Sequence, residues 1–156
     1  MRLSSREPEP CNCLALRQAA RRATQLYDRA LASTGLRTTQ FSILFKLSHH
    51  GPMTIQALAD DLVLDRTTLG RTMLPLQRDG LIAIRAGASD RRSKELRLTR
   101  AGAARLGRAV ACWRAAQAGF ERAFGRARAA ELRAILRDVA AIGAEPADDP
   151  AQGGTP

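Results

Sequence analysis

Apolar residues recur every three or four positions from Leu16 to Leu76, fall into two short runs between Leu81 and Leu98, and return to helical spacing from Leu106 to Ile142. A spacing of three and four marks a helix, whereas short alternating or β-branched runs bounded by turn residues mark strands. This change of period predicts a mainly α fold with one small β-hairpin set between helices.

The first helix follows Leu16, Ala20, Ala23, Tyr27 and Leu31, runs for about 20 residues and ends at the turn around Gly35. A second begins after Thr38, read as its cap, shows Phe41, Leu44, Phe45 and Ser48 to the core, and is stopped by Gly51 and Pro52. A third, capped by Thr54, presents Ile55, Leu58, Ala59 and Leu62 over barely two turns. Only Val63 and Leu64 separate it from a fourth, capped by Asp65, whose inward face is Leu69, Met73 and Leu76 and whose end is Asp79 and Gly80. Pro75 lies inside this fourth helix, where it removes the hydrogen bond to the Arg71 carbonyl and predicts a kink.

The hairpin strands are Leu81 to Arg85 and Leu96 to Leu98, joined by a long basic tip from Ala86 to Arg91. Thr99 caps the next helix, which carries Leu106, Val110, Trp113, Phe120 and Phe124 to about Gly125. At 1.5 Å per residue it is about 39 Å long, while a compact chain of this size has a radius of gyration near 15 Å. Its stripe therefore needs cover from the first and last helices and from a second copy of the chain, so a homodimer is expected. The last helix carries Leu132, Ile135, Leu136, Val139 and Ile142. The expected organisation is a disordered arm over 1–10, dimerisation helices over 11–36 and 100–143, a DNA-binding lobe over 37–99, and a disordered tail over 144–156.

Charge narrows the function. The 156 residues carry a net charge of +10, and every basic residue except Lys46 and Lys94 is arginine. Such an excess attracts polyanions, and it is densest where Arg85, Arg91, Arg92, Lys94, Arg97 and Arg100 face only Asp90 and Glu95. No apolar run is long enough to span a membrane, and Met1 to Pro10 has no secretory pattern, so a cytoplasmic protein is expected. Three cysteines make no disulfide framework. A glycine-rich phosphate loop, a nucleophile beside a base and a paired-carboxylate cleft are all missing, and Cys11 and Cys13 form poor zinc spacing. No enzyme activity, cofactor or metal is expected.

Two short helices with a tight connection, followed by a basic hairpin, make a winged helix-turn-helix that reads double-stranded DNA. The second helix of the pair enters the major groove with Arg66, Thr67, Thr68, Arg71 and Thr72 outward. Threonines there can bond phosphates or bases and touch thymine methyls, and Arg71 can take guanine in a bidentate contact. Thr68 and Arg71 are the expected base readers.

The stretch from Asp90 to Gly102 resembles the wing signature of the MarR family of bacterial transcription regulators, with Asp90, Arg92, Leu96, Leu98, Thr99 and Gly102 at the recurring places. Phe41, Leu44, the Ile55 to Leu62 helix, and Leu76 through Gly80 to Ile82 are also similar to the family, and the likeness spans residues 12 to 142. It implies a homodimer on a pseudo-palindromic operator, commonly a repressor. It also implies that Arg92, oriented by Asp90, enters a minor groove, where A·T tracts concentrate negative potential. Arg91 and Lys94 are assigned to phosphates.

The resemblance further implies release by a small aromatic acid or phenol held between the dimer helices and the DNA-binding lobe, for which Arg17, His49 and His50 are the candidate ligand-binding residues. Phe41, Phe45 and Trp113 are read as core. Cys11 and Cys13, at the start of the first helix, resemble in position the reactive cysteine of the family's peroxide-sensing branch, which makes a thiol-based redox sensor the alternative. A non-specific architectural DNA-binding protein is the other.

Overall fold

The computed structural model describes residues 11–87 and 94–142, and the chain divides into two units after Gln117. In the first unit, α1 (Asn12–Leu31) is followed by a 3-10 turn over Ala32–Thr34, α2 (Thr38–His50), β1 (Met53–Thr54), α3 (Ile55–Asp61), α4 (Arg66–Arg78), β2 (Ile82–Ala86) and β3 (Lys94–Leu98). The long helix α5 (Arg100–Phe124) begins in this unit, and α6 (Arg126–Ala141) lies in the second.

Short polar side chains start most of these helices by accepting a backbone N–H that has no partner within the helix. Thr54 Oγ1 takes Ala57 N at 3.1 Å, Asp65 Oδ1 takes Thr68 N at 2.8 Å, and Thr99 Oγ1 takes Gly102 N at 3.0 Å, all as the sequence predicts. Helix α2 starts differently. Thr38 is its first helical residue, and its N–H and hydroxyl both donate to Asp28 Oδ1 at 2.7 Å. A carboxylate ten residues upstream therefore does the work expected of Thr38 and ties α1 to α2.

The core of the first unit collects one face of every helix from α2 to α5. Leu31, Ile43, Leu44, Leu58, Leu69, Leu76 and Leu96 are its largest fully enclosed side chains, each contributing roughly 1.5–3 kcal/mol of burial. On α2 the buried set is Phe41, Ile43, Leu44 and Leu47, whereas Phe45 and Ser48 are exposed, contrary to expectation. The α1 stripe is corrected too: Leu31 is buried, while Leu16 and Ala20 face solvent.

The sheet has order β1-β3-β2, all antiparallel, with Ile84 opposite Leu96 and Met53 on the other side of that same leucine. Central Leu96 is thus flanked by apolar residues on both sides, which fixes the register, because a slip of one residue would turn it to solvent. Strand β1 is an addition to the sequence-based expectation.

Two backbone positions set the geometry around α4. Val63, in the turn between α3 and α4, has φ +51°, a left-handed conformation that costs a β-branched residue about 1–2 kcal/mol. Gly102, in the first turn of α5, packs so closely on the exit of α4 that a Cβ there would lie 2.0 Å from the Leu81 carbonyl oxygen. The Thr99 hydroxyl donates to the Gly80 carbonyl at 2.7 Å, and the Thr99 N–H donates to that of Leu81 at 3.1 Å. Helix α4 continues to Arg78 through Pro75.

In the second unit, Phe120 and Phe124 stack at 5.5 Å and the Arg128 guanidinium lies 4.5 Å over the Phe124 ring. Arg133 pairs with Glu121 at 3.3 Å. On α6 and at its end, Ile135, Leu136, Val139 and Ile142 are exposed.

Candidate nucleic-acid interface

The two faces of α4 divide cleanly. Leu69, Met73 and Leu76 point into the core, while Arg66, Thr67, Thr68 and Arg71 are exposed and Thr72 is half-buried. The predicted reading residues are therefore brought together on one surface.

Hydrogen bonding distinguishes the threonines. The Thr68 hydroxyl donates to Asp65 Oδ2 at 2.6 Å, alongside the Thr68 N–H on Oδ1. The Thr68 hydroxyl, then its backbone, hold the Asp65 carboxyl below the usual carboxylate range. Thr72 gives its hydroxyl hydrogen to the Thr68 carbonyl at 2.9 Å. A hydroxyl has one hydrogen, so Thr68 and Thr72 can present only acceptors outward while these bonds last.

The hairpin adds charge beside this helix. Arg85 on β2, Lys94 on β3 and Arg100 at the start of α5 are exposed, while Arg97 is paired with Glu95 at 3.0 Å. Asp90, Arg91 and Arg92 lie outside the described residues.

A second feature sits on α2. Thr38, Phe41, Ser42, Phe45, Lys46, Leu62 and Trp113 line a mostly apolar cavity of about 210 Å³. The Phe41 ring lies 5.9 Å from Trp113 and 6.1 Å from Phe45, and Phe45 continues the near-parallel stack to His49 at 6.3 Å. His50 meets His49 edge-on at 4.9 Å. Lys46, at the rim, is held by Asp61 at 2.9 Å. Of the expected ligand residues, His49 and His50 adjoin this wall, while Arg17 is exposed on α1 and is not part of it. Of the three aromatic residues read as core, Phe41 is buried in it and Trp113 packs against it, whereas Phe45 is exposed; all three also form the aromatic side of the cavity. Leu62 belongs to the apolar face expected of the third helix, but Lys46 is a lining residue that apolar spacing does not single out; the one available signal is that it is one of only two lysines in an arginine-rich chain.

Asp28 is a second carboxyl with a perturbed titration. Burial raises it, but the Thr38 N–H, the Thr38 hydroxyl and the Arg37 guanidinium outweigh burial and hold it below its ordinary value. Cys11 caps α1, its Sγ accepting Leu14 N at 3.4 Å, and Cys13 is exposed beside it. Cys112 on α5 is half-buried, with its Sγ 3.9 Å from the Ser33 hydroxyl.

Known proteins resemble this arrangement. The sequence pattern of the MarR family matches residues 36–94. NicR, an HTH-type transcriptional repressor of Pseudomonas putida, is 30% identical over 121 residues, covering 78% of this chain and 75% of that protein. The transcriptional regulator MosR of M. tuberculosis is 38% identical, with a TM-score of 0.73 over 85% of this chain and 96% of its own. A second structure of MosR, in complex with DNA, is 39% identical, with a TM-score of 0.69 over 83% and 98%.

Proposed function

The chain belongs to the MarR family of DNA-binding transcriptional regulators, and from that premise we propose that it is a homodimeric repressor, released from a pseudo-palindromic operator by a small aromatic ligand. The observation that carries the reading is the split of α4 into a buried Leu69, Met73 and Leu76 face and an exposed Arg66, Thr67 and Arg71 face, next to a basic hairpin. The likeness to the DNA complex of MosR supports the same assignment.

Two copies pair through apolar residues that single chains leave exposed: Leu14, Leu16 and Leu26 on α1, and Ile135, Leu136, Val139 and Ile142 on or beside α6. Pairing presents two α4 helices to successive major grooves, hence the pseudo-palindrome. Arg92, steered by Asp90, takes the minor groove, and Arg91 and Lys94 take phosphates. The ligand occupies the Phe41, Phe45 and Trp113 cavity, whose stacked walls suit a flat ring and whose rim offers Lys46 and His49 to an acid or phenol.

Selection of duplexes from a random library, followed by footprinting and sedimentation, tests this. A dimer protecting two half-sites about one helical turn apart is expected. With about eight phosphates neutralised, log K should fall with log salt at a slope near −7. A lone protomer, or a duplex that stays unprotected, would overturn the proposal. Aromatic acids should raise the melting temperature and weaken operator binding.

A second reading rests on Cys11. It sits at the first turn of α1 with Cys13 exposed nearby, so a peroxide could transfer one oxygen to the thiolate, giving a sulfenic acid and releasing the other oxygen as water or alcohol. Peroxide-dependent release from the operator that Cys11→Ser and Cys13→Ser abolish would establish it.

A further inference from the structure

We propose that Gly70 is a base-reading position: it forms the floor of a notch in the outward face of α4 that receives the 5-methyl group of a thymine. The proposal rests on the reading of α4 as the helix that enters the major groove.

Several glycines elsewhere in the chain have a backbone reason to be there, although Gly107 and Gly119 in α5 have none either and differ from Gly70 in lying outside the helix read as entering the groove. Gly35, Gly51 and Gly80 have φ of 72°, 78° and 67°, a region that other residues avoid. Gly102 is pressed against the Leu81 carbonyl. Gly70 has neither reason. It lies in the second turn of a helix, without the positive φ of those turns, and a Cβ built on it would meet nothing within 4 Å. Glycine is one of the poorest residues for a helix interior, so the chain gives up helical stability there without an internal packing gain.

The neighbouring side chains indicate what the missing one makes room for. Residues three and four apart are neighbours on a helix surface, so half-buried Gly70 has the buried Met73 on its core side and, on its outer side, Arg66, Thr67 and Leu74, with Arg71 adjoining. The outer four are exposed, and Leu74 stands 63% open to solvent on the face opposite the core. A gap with cations on one side and uncovered apolar groups on the other fits a base-pair edge carrying a methyl. Among the base edges of the major groove, thymine alone displays one. The Leu74 side chain and the Thr67 methyl give it apolar walls, and the arginines attract the flanking phosphates or guanines.

The test uses the full chain and a duplex enriched by it from a random library. Each thymine of the enriched site is replaced in turn by deoxyuridine, which removes only the methyl. Wild type should lose about fourfold in affinity at one thymine per half-site. Gly70→Ala should melt about 2 °C or more above wild type, bind the thymine duplex about tenfold more weakly, and recover on the deoxyuridine duplex, where its own methyl fills the vacated space. Equal binding of the thymine duplex by Gly70→Ala would overturn the proposal. So would a loss that no deoxyuridine restores, which would mean that the sugar-phosphate backbone packs on Gly70 instead. A wild-type chain that enriches no sequence would overturn the operator reading and this inference with it. That result is obtained before any variant is made, so the two failures are told apart.

Discussion

The lobe around α4 and the helix α6 use large aliphatic side chains in opposite ways. Leu58, Leu69 and Leu96 are completely enclosed within their own unit, whereas Ile135 and Leu136 on α6 remain 51% and 40% exposed. Both regions have the same helical spacing of apolar residues in sequence. What differs is whether the surrounding chain supplies a second layer, which α2, α3 and the sheet do for α4. Periodicity reports which face of a helix is apolar; it does not report who covers that face.

The contrast can be broken from either side. The largest effect is expected from Leu69→Ala, which should cost about 2–5 kcal/mol by denaturant unfolding, because its cavity opens inside a closed core. Ile135→Asp with Val139→Asp should change unfolding of the lobe little but, if the proposed dimer is built on that face, weaken self-association about 100-fold or more by sedimentation; an unchanged dimer would place the interface elsewhere. Val63→Gly should stabilise the chain by roughly 1 kcal/mol by releasing the left-handed valine, and it touches neither apolar face.

The smallest effect concerns Asp28, which joins α1 to the lobe. Its folded-state pKa lies below the unfolded value of about 3.9. Its contribution is therefore complete above that value and is lost as pH falls through the folded one. Wild type should exceed Asp28→Asn in thermal stability at pH 7, and the gap should close below about pH 4. A gap unchanged at low pH would show that the carboxylate charge is irrelevant to the cap.

Much of this organisation was legible in sequence because its causes are local. The caps at Thr54, Asp65 and Thr99 each bond an amide within three residues, and the inward face of α4 follows from spacing alone. What was missed depends on distant partners. The α2 cap comes from Asp28, ten residues away, and β1 exists because Met53 pairs with Leu96 across the sheet. Thr68 reads as a free donor in sequence, yet its hydroxyl is committed to Asp65. The notch at Gly70 left no mark in the apolar pattern, because a residue without a side chain has no place in a periodicity count.

The first turn of α5 has mechanical weight. Thr99 holds the carbonyls of Gly80 and Leu81 while capping α5, and Gly102 lets the helix backbone close onto the same two-residue exit. With no slack residue at this elbow, a twist applied to α5 is handed to α4 and β3 as a rigid rotation rather than absorbed by a loose joint.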